Sequence, residues 1–292
     1  MNGLILIDKP AGCTSHDVVN RWRKLAGTKR TGHLGTLDPM ATGLLVLVTG
    51  AATRLAQFYG KSEKTYLAEI TLGAVSNTYD AEGDVSESIY PIPSAEGILA
   101  ALDEFRGRFL QRPPPVSAKK IGGVPAYKLA RQKLAVNLKP VEVEVKQLQV
   151  QSLAANKLSI LVRCSAGTYI RSIAHDLGER LGCGALLSRL RRTRSGEFSL
   201  EQARSLDQLS ALAADQRLAE AVLPMADMLP EIPSEHFDLL IETHIRQGRE
   251  FRTSPFIVPP GAPLVKALTR SGELIAIGQL KIPNLYHPTT VF

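Results

Sequence analysis

The chain is 292 residues long, 44% hydrophobic and 22% charged, with a formal net charge of +7. This composition excludes a disordered or fibrous chain, and no run approaches the roughly 18 apolar residues of a membrane-spanning helix. The length predicts about two domains, and the positive balance points to a polyanionic partner, nucleic acid first.

Three cysteines, Cys13, Cys164 and Cys183, are odd in number and far apart. They argue against a disulfide framework and for a reducing cytoplasm. No CxxC or HExxH pattern occurs and the histidines are scattered, so no metal is expected. The N-terminus lacks a basic lead and a small-residue cleavage site, and reads as a first strand rather than a signal peptide.

In chain order, Gly3–Ile7 predicts a short strand and Lys9-Pro10-Ala11-Gly12 a turn. Thr14 and Asp17 have capping-box spacing, with Ser15 an alternative N-cap. Val18, Val19, Trp22 and Leu25 then form one apolar helical stripe, with Arg21, Arg23 and Lys24 off it. The run Thr31 to Gly43 holds three glycines and one proline, which forbids an ordinary helix interior. Leu44 to Val48 is apolar and β-prone, so it reads as a buried strand. Asp38 therefore sits in a shaped loop delivered onto a rigid strand, where a carboxylate can act on a ligand lying above it. The bland alternative is an Asp-Pro turn in which Asp38 bonds its own backbone.

Thr53–Tyr59 predicts a short helix, Lys64–Leu72 a strand with Tyr66, Ala68, Ile70 and Leu72 on one face, and Ser76–Asp84 a polar loop. Gly60-Lys61-Ser62 resembles a Walker tail, but Leu55 stands where the first glycine belongs and no strand leads in. Ser94–Arg106 predicts a helix. The segment from Gln111 through Pro114, Lys119, Lys120 and Gly123 is extended and basic, and Tyr127, Lys128, Arg131 and Lys133 continue it. Basic residues with an aromatic among them suit a nucleic-acid backbone with a stacked base; a solvated loop is the alternative.

Val141–Val150 and Lys157–Cys164 alternate as the strands of a hairpin. Thr168 is placed to cap a helix whose buried stripe is Ile170, Ile173, Ala174 and Leu177. Arg171 falls in its first turn, where the helix dipole disfavours a cation, so it needs an anionic partner: a carboxylate of this protein or a phosphate. His175 reads as a structural hydrogen-bonder. After the helix break at Gly182-Cys183-Gly184, Arg189, Arg191, Arg192 and Arg194 form the densest positive patch. It suits phosphate contacts, with a solvated basic helix end as the alternative. Glu201–Ala226 reads as mostly helical. From Pro224 the composition shifts to Pro- and Gly-punctuated strands, Leu264–Leu268 and Glu273–Leu280 among them, which predicts a small, mostly β domain beginning near residue 230.

Gly32-His33-Leu34-Gly35-Thr36-Leu37-Asp38-Pro39-Met40-Ala41-Thr42-Gly43-Leu44-Leu45 resembles the signature of the TruB-type tRNA pseudouridine synthases. Asp8-Lys9-Pro10 with Thr14-Ser15, Lys64-Thr65-Tyr66, Pro114 to Lys120, and Gly167 to Arg171 with Asp176-Leu177-Gly178 follow in the family's order. The resemblance covers residues 3–200. It implies an α/β (α+β) fold: a catalytic domain around a mostly antiparallel mixed sheet over residues 1–229. Residues 230–292, a weaker match, resemble the family's PUA-like RNA-binding domain.

The same resemblance implies conversion of uridine to pseudouridine at position 55 in the T loop of tRNA, without metal or organic cofactor. Asp38 would be the catalytic carboxylate, Tyr66 would stack on the flipped base and share in proton transfer, and Arg171 would pair with Asp38, these three forming the catalytic set. Leu190 would line the pocket, and Lys9, His33, Asp80 and Tyr169 would lie in or beside the RNA-binding cleft. The expected partner is the T arm of tRNA, with no membrane, no obligate protein partner and a monomeric, cytoplasmic state.

The chemistry fits these residues. Charge develops at the sugar C1′ when a glycosidic bond breaks, and an ionised carboxylate can add there or stabilise it. An arginine beside Asp38 is expected to lower its pKa and keep it ionised. An aromatic ring lowers the cost of flipping the base. Whether Asp38 attacks C1′, attacks the ring or abstracts a proton stays open. The alternatives from other classes are a catalytically idle RNA-binding or RNA-folding protein on this scaffold and, more distantly, a P-loop NTPase.

Overall fold

The alternating segments assemble into one mixed sheet of eleven strands. Its main path runs Arg204–Ser205, Gly3–Lys9, Thr42–Thr49, Ala185–Ser195, Lys64–Leu72, Lys157–Cys164, Val141–Ala154, Gly107–Gln111. Only the contacts of Gly3–Lys9 with Arg204–Ser205 and of Thr42–Thr49 with Ala185–Ser195 are parallel along this path. The rest are antiparallel, as the family resemblance implies. The computed structural model describes residues 1–117, 119–121, 123–126, 132 and 138–292, without the side chains of residues 120, 121, 124 and 125. Tyr127, Lys128, Arg131 and Lys133, expected on the basic segment, lie outside the described residues.

Helix Ser15–Ala26 forms where the capping box predicts it. Thr14 is the N-cap, Asp17 closes the box, and Gly27 ends the helix in the left-handed region. Its stripe buries Val18, Val19 and Trp22 against the sheet, and Trp22 Nε1 donates to Thr49 Oγ1 at 3.3 Å. Ser15 is not the cap. Its buried hydroxyl donates to the Leu37 carbonyl at 3.0 Å and accepts from the Leu37 amide at 2.8 Å. A serine at the helix start thus holds the loop that carries Asp38.

Several local expectations change in the folded chain. The short helix expected over Thr53–Tyr59 begins earlier, at Gly50, and winds as a 3₁₀ helix. Thr168 does not cap: helix Ile170–Leu181 begins after Tyr169, and the Thr168 hydroxyl donates back to the Ser165 carbonyl. Within Glu201–Ala226 the α-helix is confined to Leu206–Ala214, with short 3₁₀ turns beside it. The arginine-rich segment is no helix end; it is the strand Ala185–Ser195, paired on both sides. Pairing on both edges overrides the polar look of the sequence and turns alternate arginines to opposite faces.

Residues 234–291 form a separate five-stranded sheet, ordered Ser234–Phe237, Leu264–Thr269, Leu274–Ile282, Leu285–Val291, Phe251–Arg252. It does not stand apart. Leu268, Leu274 and Ile277 share one apolar cluster with Leu4, Leu44, Val46 and Val48 on the back of the large sheet. The opposite face of the large sheet, covered by helices, carries the main core.

Candidate active site

Asp38 stands at the tip of a loop held from several directions. Ser15 fixes Leu37 on its N-terminal side. On the other side, the Gly12 amide donates to the Pro39 carbonyl at 2.9 Å, and Lys9 Nζ reaches the same oxygen at 3.2 Å. The Asp38 carbonyl accepts from the Ala41 amide at 3.1 Å, closing the turn. The carboxylate does not bond its own backbone, as a bland Asp-Pro turn would have it. It faces Arg171, whose Nη2 donates to Oδ1 at 3.1 Å while Nε lies 2.9 Å from Oδ2.

Arg171 is almost fully buried, and its partner is a carboxylate of this protein, one of the two options its position required. It also donates to the carbonyls of Thr78 and Val116, each at 3.0 Å, and lies 3.4 Å from Asp80. Helix Ile170–Leu181 delivers it close to the sheet. A Cβ on Gly178 would stand 2.0 Å from the Ala185 amide nitrogen, so only glycine allows that approach. Gln111 clamps the helix start, accepting from the Tyr169 amide at 2.8 Å and donating to its carbonyl at 2.9 Å. His175, expected as a hydrogen-bonder, stacks on Tyr79 with ring centroids 3.7 Å apart.

A cleft of about 440 Å³ opens over this pair, within the roughly 300–1,000 Å³ usual for small-molecule sites. Tyr66, Tyr169, Leu190, His33 and Arg192 line it together with Asp38 and Arg171, so seven of the expected residues meet in one place. The ring nitrogen Nδ1 of His33 is buried there without a hydrogen-bond partner. Burial, aided by Arg192, holds the His33 pKa below its usual value. Burial raises those of the Tyr66 and Tyr169 phenols.

The expectation for the Asp38 pKa is corrected. Arg171 does pull it down, but burial outweighs that pull and Asp80 adds to the rise, so the pKa lies above the ordinary carboxylate value.

Three of the expected residues lie beside or beneath the cleft with their polar atoms engaged by the protein itself. Lys9 is fully buried, its ammonium spent on the carbonyls of Pro10, Cys13 and Pro39. Asp80 lies behind Arg171 rather than on the cleft wall, held by the Thr78 hydroxyl at 2.6 Å and the Glu82 amide at 3.1 Å. Arg192 is 1% exposed, and its guanidinium donates to the carbonyls of Leu44, Gly35 and Thr36. It props the Asp38 loop with three of its five N–H donors. Arg189 and Arg194 point to solvent, and Arg191 is half-exposed and paired with Asp8 at 2.7 Å. Lys119 is exposed; Lys120 lies on a two-residue strand and its side chain is outside the described atoms.

The cleft also holds residues the sequence reading did not single out. Lys64 is one; its place two residues before Tyr66 on an alternating strand puts both on one face, which was legible in advance. Ser117 is another, its buried hydroxyl without a hydrogen-bond partner. Ser117 falls inside the Pro114 to Lys120 motif and Gln111 opens the basic segment, but no local pattern assigns either side chain a role.

Residues 23–170 match the model of the TruB family pseudouridylate synthase N-terminal domain, and residues 171–230 match the tRNA pseudouridylate synthase B C-terminal domain. A tRNA pseudouridine synthase B from Solibacter usitatus is 53% identical over the whole of both chains. One from Aquifex aeolicus is 38% identical over 96% of each. Among solved structures, a chain of a Cbf5–Nop10–Gar1 complex superposes with a TM-score of 0.72 at 28% identity, over 99% of this chain and 84% of that one. With the Asp38 loop, the Arg171 helix and the surrounding sheet in place, the chain belongs to the TruB family of tRNA pseudouridine synthases.

Proposed function

We propose that this protein isomerises uridine to pseudouridine at position 55 in the T loop of tRNA, with Asp38 as the catalytic carboxylate. The observation that carries the reading is the Asp38 carboxylate gripped by Arg171 on the floor of a cleft walled by Tyr66, Tyr169 and Leu190. The target uridine leaves its stack and enters the cleft, where Tyr66 offers a ring face to the base. Asp38 meets the charge that develops at C1′ as the bond to N1 breaks. The uracil turns, C5 bonds to C1′, the C5 proton leaves and N1 takes one up. Atoms and electrons balance, and no oxidant or reductant enters.

Solvent-facing Arg189, Arg194, half-exposed Arg191 and Lys119 supply phosphate contacts, which position the RNA without reading it. Residues 1–229 act as the catalytic domain and residues 230–292 as a PUA-like domain that adds affinity for the tRNA. The protein works as a monomer without an obligate protein partner. Its three free cysteines suit the reducing cytoplasm.

The test is single-turnover pseudouridine formation on an unmodified tRNA transcript, scored by carbodiimide mapping, beside filter binding. Asp38→Asn should abolish turnover and leave binding within a few-fold. Near-normal rates would remove Asp38 from the chemistry.

A further inference from the structure

Of the cations that line the cleft among the described residues, Arg171 is paired with Asp38, whereas Lys64 and Arg192 have no carboxylate partner. Lys64 is 8% exposed, and its ammonium donates to the Ser62 carbonyl. No salt bridge to it is found among the described residues. The neighbouring Glu63 carboxylate is taken by Lys146 and Arg163. Arg192 approaches from the adjacent strand: a Cβ on Gly35 would stand 3.6 Å from Lys64 Cε and 3.5 Å from Arg192 Nη1. Two cations thus converge beneath the loop that ends in Asp38. Three Arg192 donors hold backbone carbonyls and fix its guanidinium under the loop, whereas two of the three Lys64 protons have no acceptor among the described residues and its stem is free to turn them toward the cleft.

A buried ammonium beside a buried guanidinium is costly until an anion arrives. In a flipped nucleotide the only formal anions are the phosphates flanking its ribose. We infer that Lys64 binds the phosphate next to the target uridine, seating the flipped nucleotide over Asp38. This rests on the RNA-modifying reading above.

The groups around Lys64 make that contact proton-linked. Burial and Arg192 push its pKa down to about 8. Cys164, opposite it on the adjoining strand, opposes this only weakly, being itself pushed up to about 11 and therefore neutral. Tyr66 and Tyr169 are phenols raised by burial and stay neutral. Asp38 is occupied by Arg171. Near pH 8 roughly half of the free protein therefore carries a neutral Lys64, and phosphate binding must draw in a proton. Affinity for RNA should fall as pH rises through about 8.

The experiment measures filter binding of an unmodified T-arm hairpin between pH 7 and pH 9, in the Asp38→Asn protein so that no turnover intervenes. Adding Lys64→Met should weaken binding at pH 7 by about tenfold and flatten the salt slope by about 0.7. Adding Lys64→Arg should keep most of the affinity but lose the fall above pH 8, because guanidinium does not titrate there. A hairpin with a methylphosphonate beside the target should bind the Asp38→Asn protein about tenfold more weakly, yet cost the protein that also carries Lys64→Met nothing further. Unchanged affinity in Lys64→Met, or an unchanged pH profile in Lys64→Arg, overturns the inference and leaves the function standing. If the Asp38→Asn protein binds no hairpin at all, the function reading falls and the inference with it.

Discussion

Arg171 reaches Asp38 from a helix 133 residues further along the chain; its Nη2 donates to Oδ1 at 3.1 Å, and its Nε lies 2.9 Å from Oδ2 as an ion-pair contact. The guanidinium is itself held by the Thr78 and Val116 carbonyls, so its charge stands at a fixed place beside the carboxylate, which a flexible ammonium could not reproduce. Arg171→Lys should therefore slow single-turnover isomerisation by about a hundredfold, while tRNA binding changes by only a few-fold. Rapid-quench assays beside filter binding check this; equal losses in both would make Arg171 an RNA contact.

The Asp38 pKa is raised, so the carboxylate loses its charge on acidification at a higher pH than an ordinary aspartate. The acid limb of the single-turnover rate should lie above pH ~4, the usual value for aspartate. Arg171 opposes the rise, so Arg171→Met should move the residual activity's acid limb higher still. A limb at or below the ordinary value in both proteins would contradict the burial-dominated site.

The arginine cluster should divide into two behaviours. Arg189→Gln and Arg194→Gln face solvent and should each flatten the salt slope of RNA binding by about 0.7 to 0.9 without lowering Tm. Arg192→Met removes the donor to the buried Leu44 carbonyl and those to the partly exposed Gly35 and Thr36 carbonyls, and should cost about 2 kcal/mol, seen as a lowered urea midpoint. Salt slopes and melts on the three variants separate the roles.

Gly43 has φ +97°, and a Cβ there would stand 2.3 Å from the Arg192 carbonyl oxygen. Gly43→Ala must therefore strain the backbone and push apart the parallel pair formed by Thr42–Thr49 and Ala185–Ser195. A loss of about 2 kcal/mol or more is expected, with activity falling further because the Asp38 loop enters this strand. Chemical denaturation and turnover assays on the variant check both.

Removing residues 231–292 should not leave a well-behaved catalytic core. The cut uncovers Leu4, Leu44, Val46 and Val48, which share a cluster with Leu268, Leu274 and Ile277. Aggregation or a sharply lowered Tm is expected. A soluble truncation with the parental melting profile would show that the two sheets are energetically independent.

Much of this molecule was legible in its residues because the signals were local. Alternation gave the strands Lys64–Leu72 and Lys157–Cys164, and the Thr14–Asp17 box gave the first helix. The position of Arg171 in a first helical turn announced that it needed an anion. What the tertiary structure alone decided was which way each charge faces and what burial does to it. Arg189 and Arg192 look alike in sequence, yet one is solvent-exposed and the other is sealed under the Asp38 loop, because neighbouring strands choose the buried face. Lys9 went to three carbonyls rather than to the cleft for the same reason. The direction of the Asp38 pKa followed suit: an adjacent arginine can be foreseen from a motif, but the desolvation that outweighs it is summed over segments far apart in the chain.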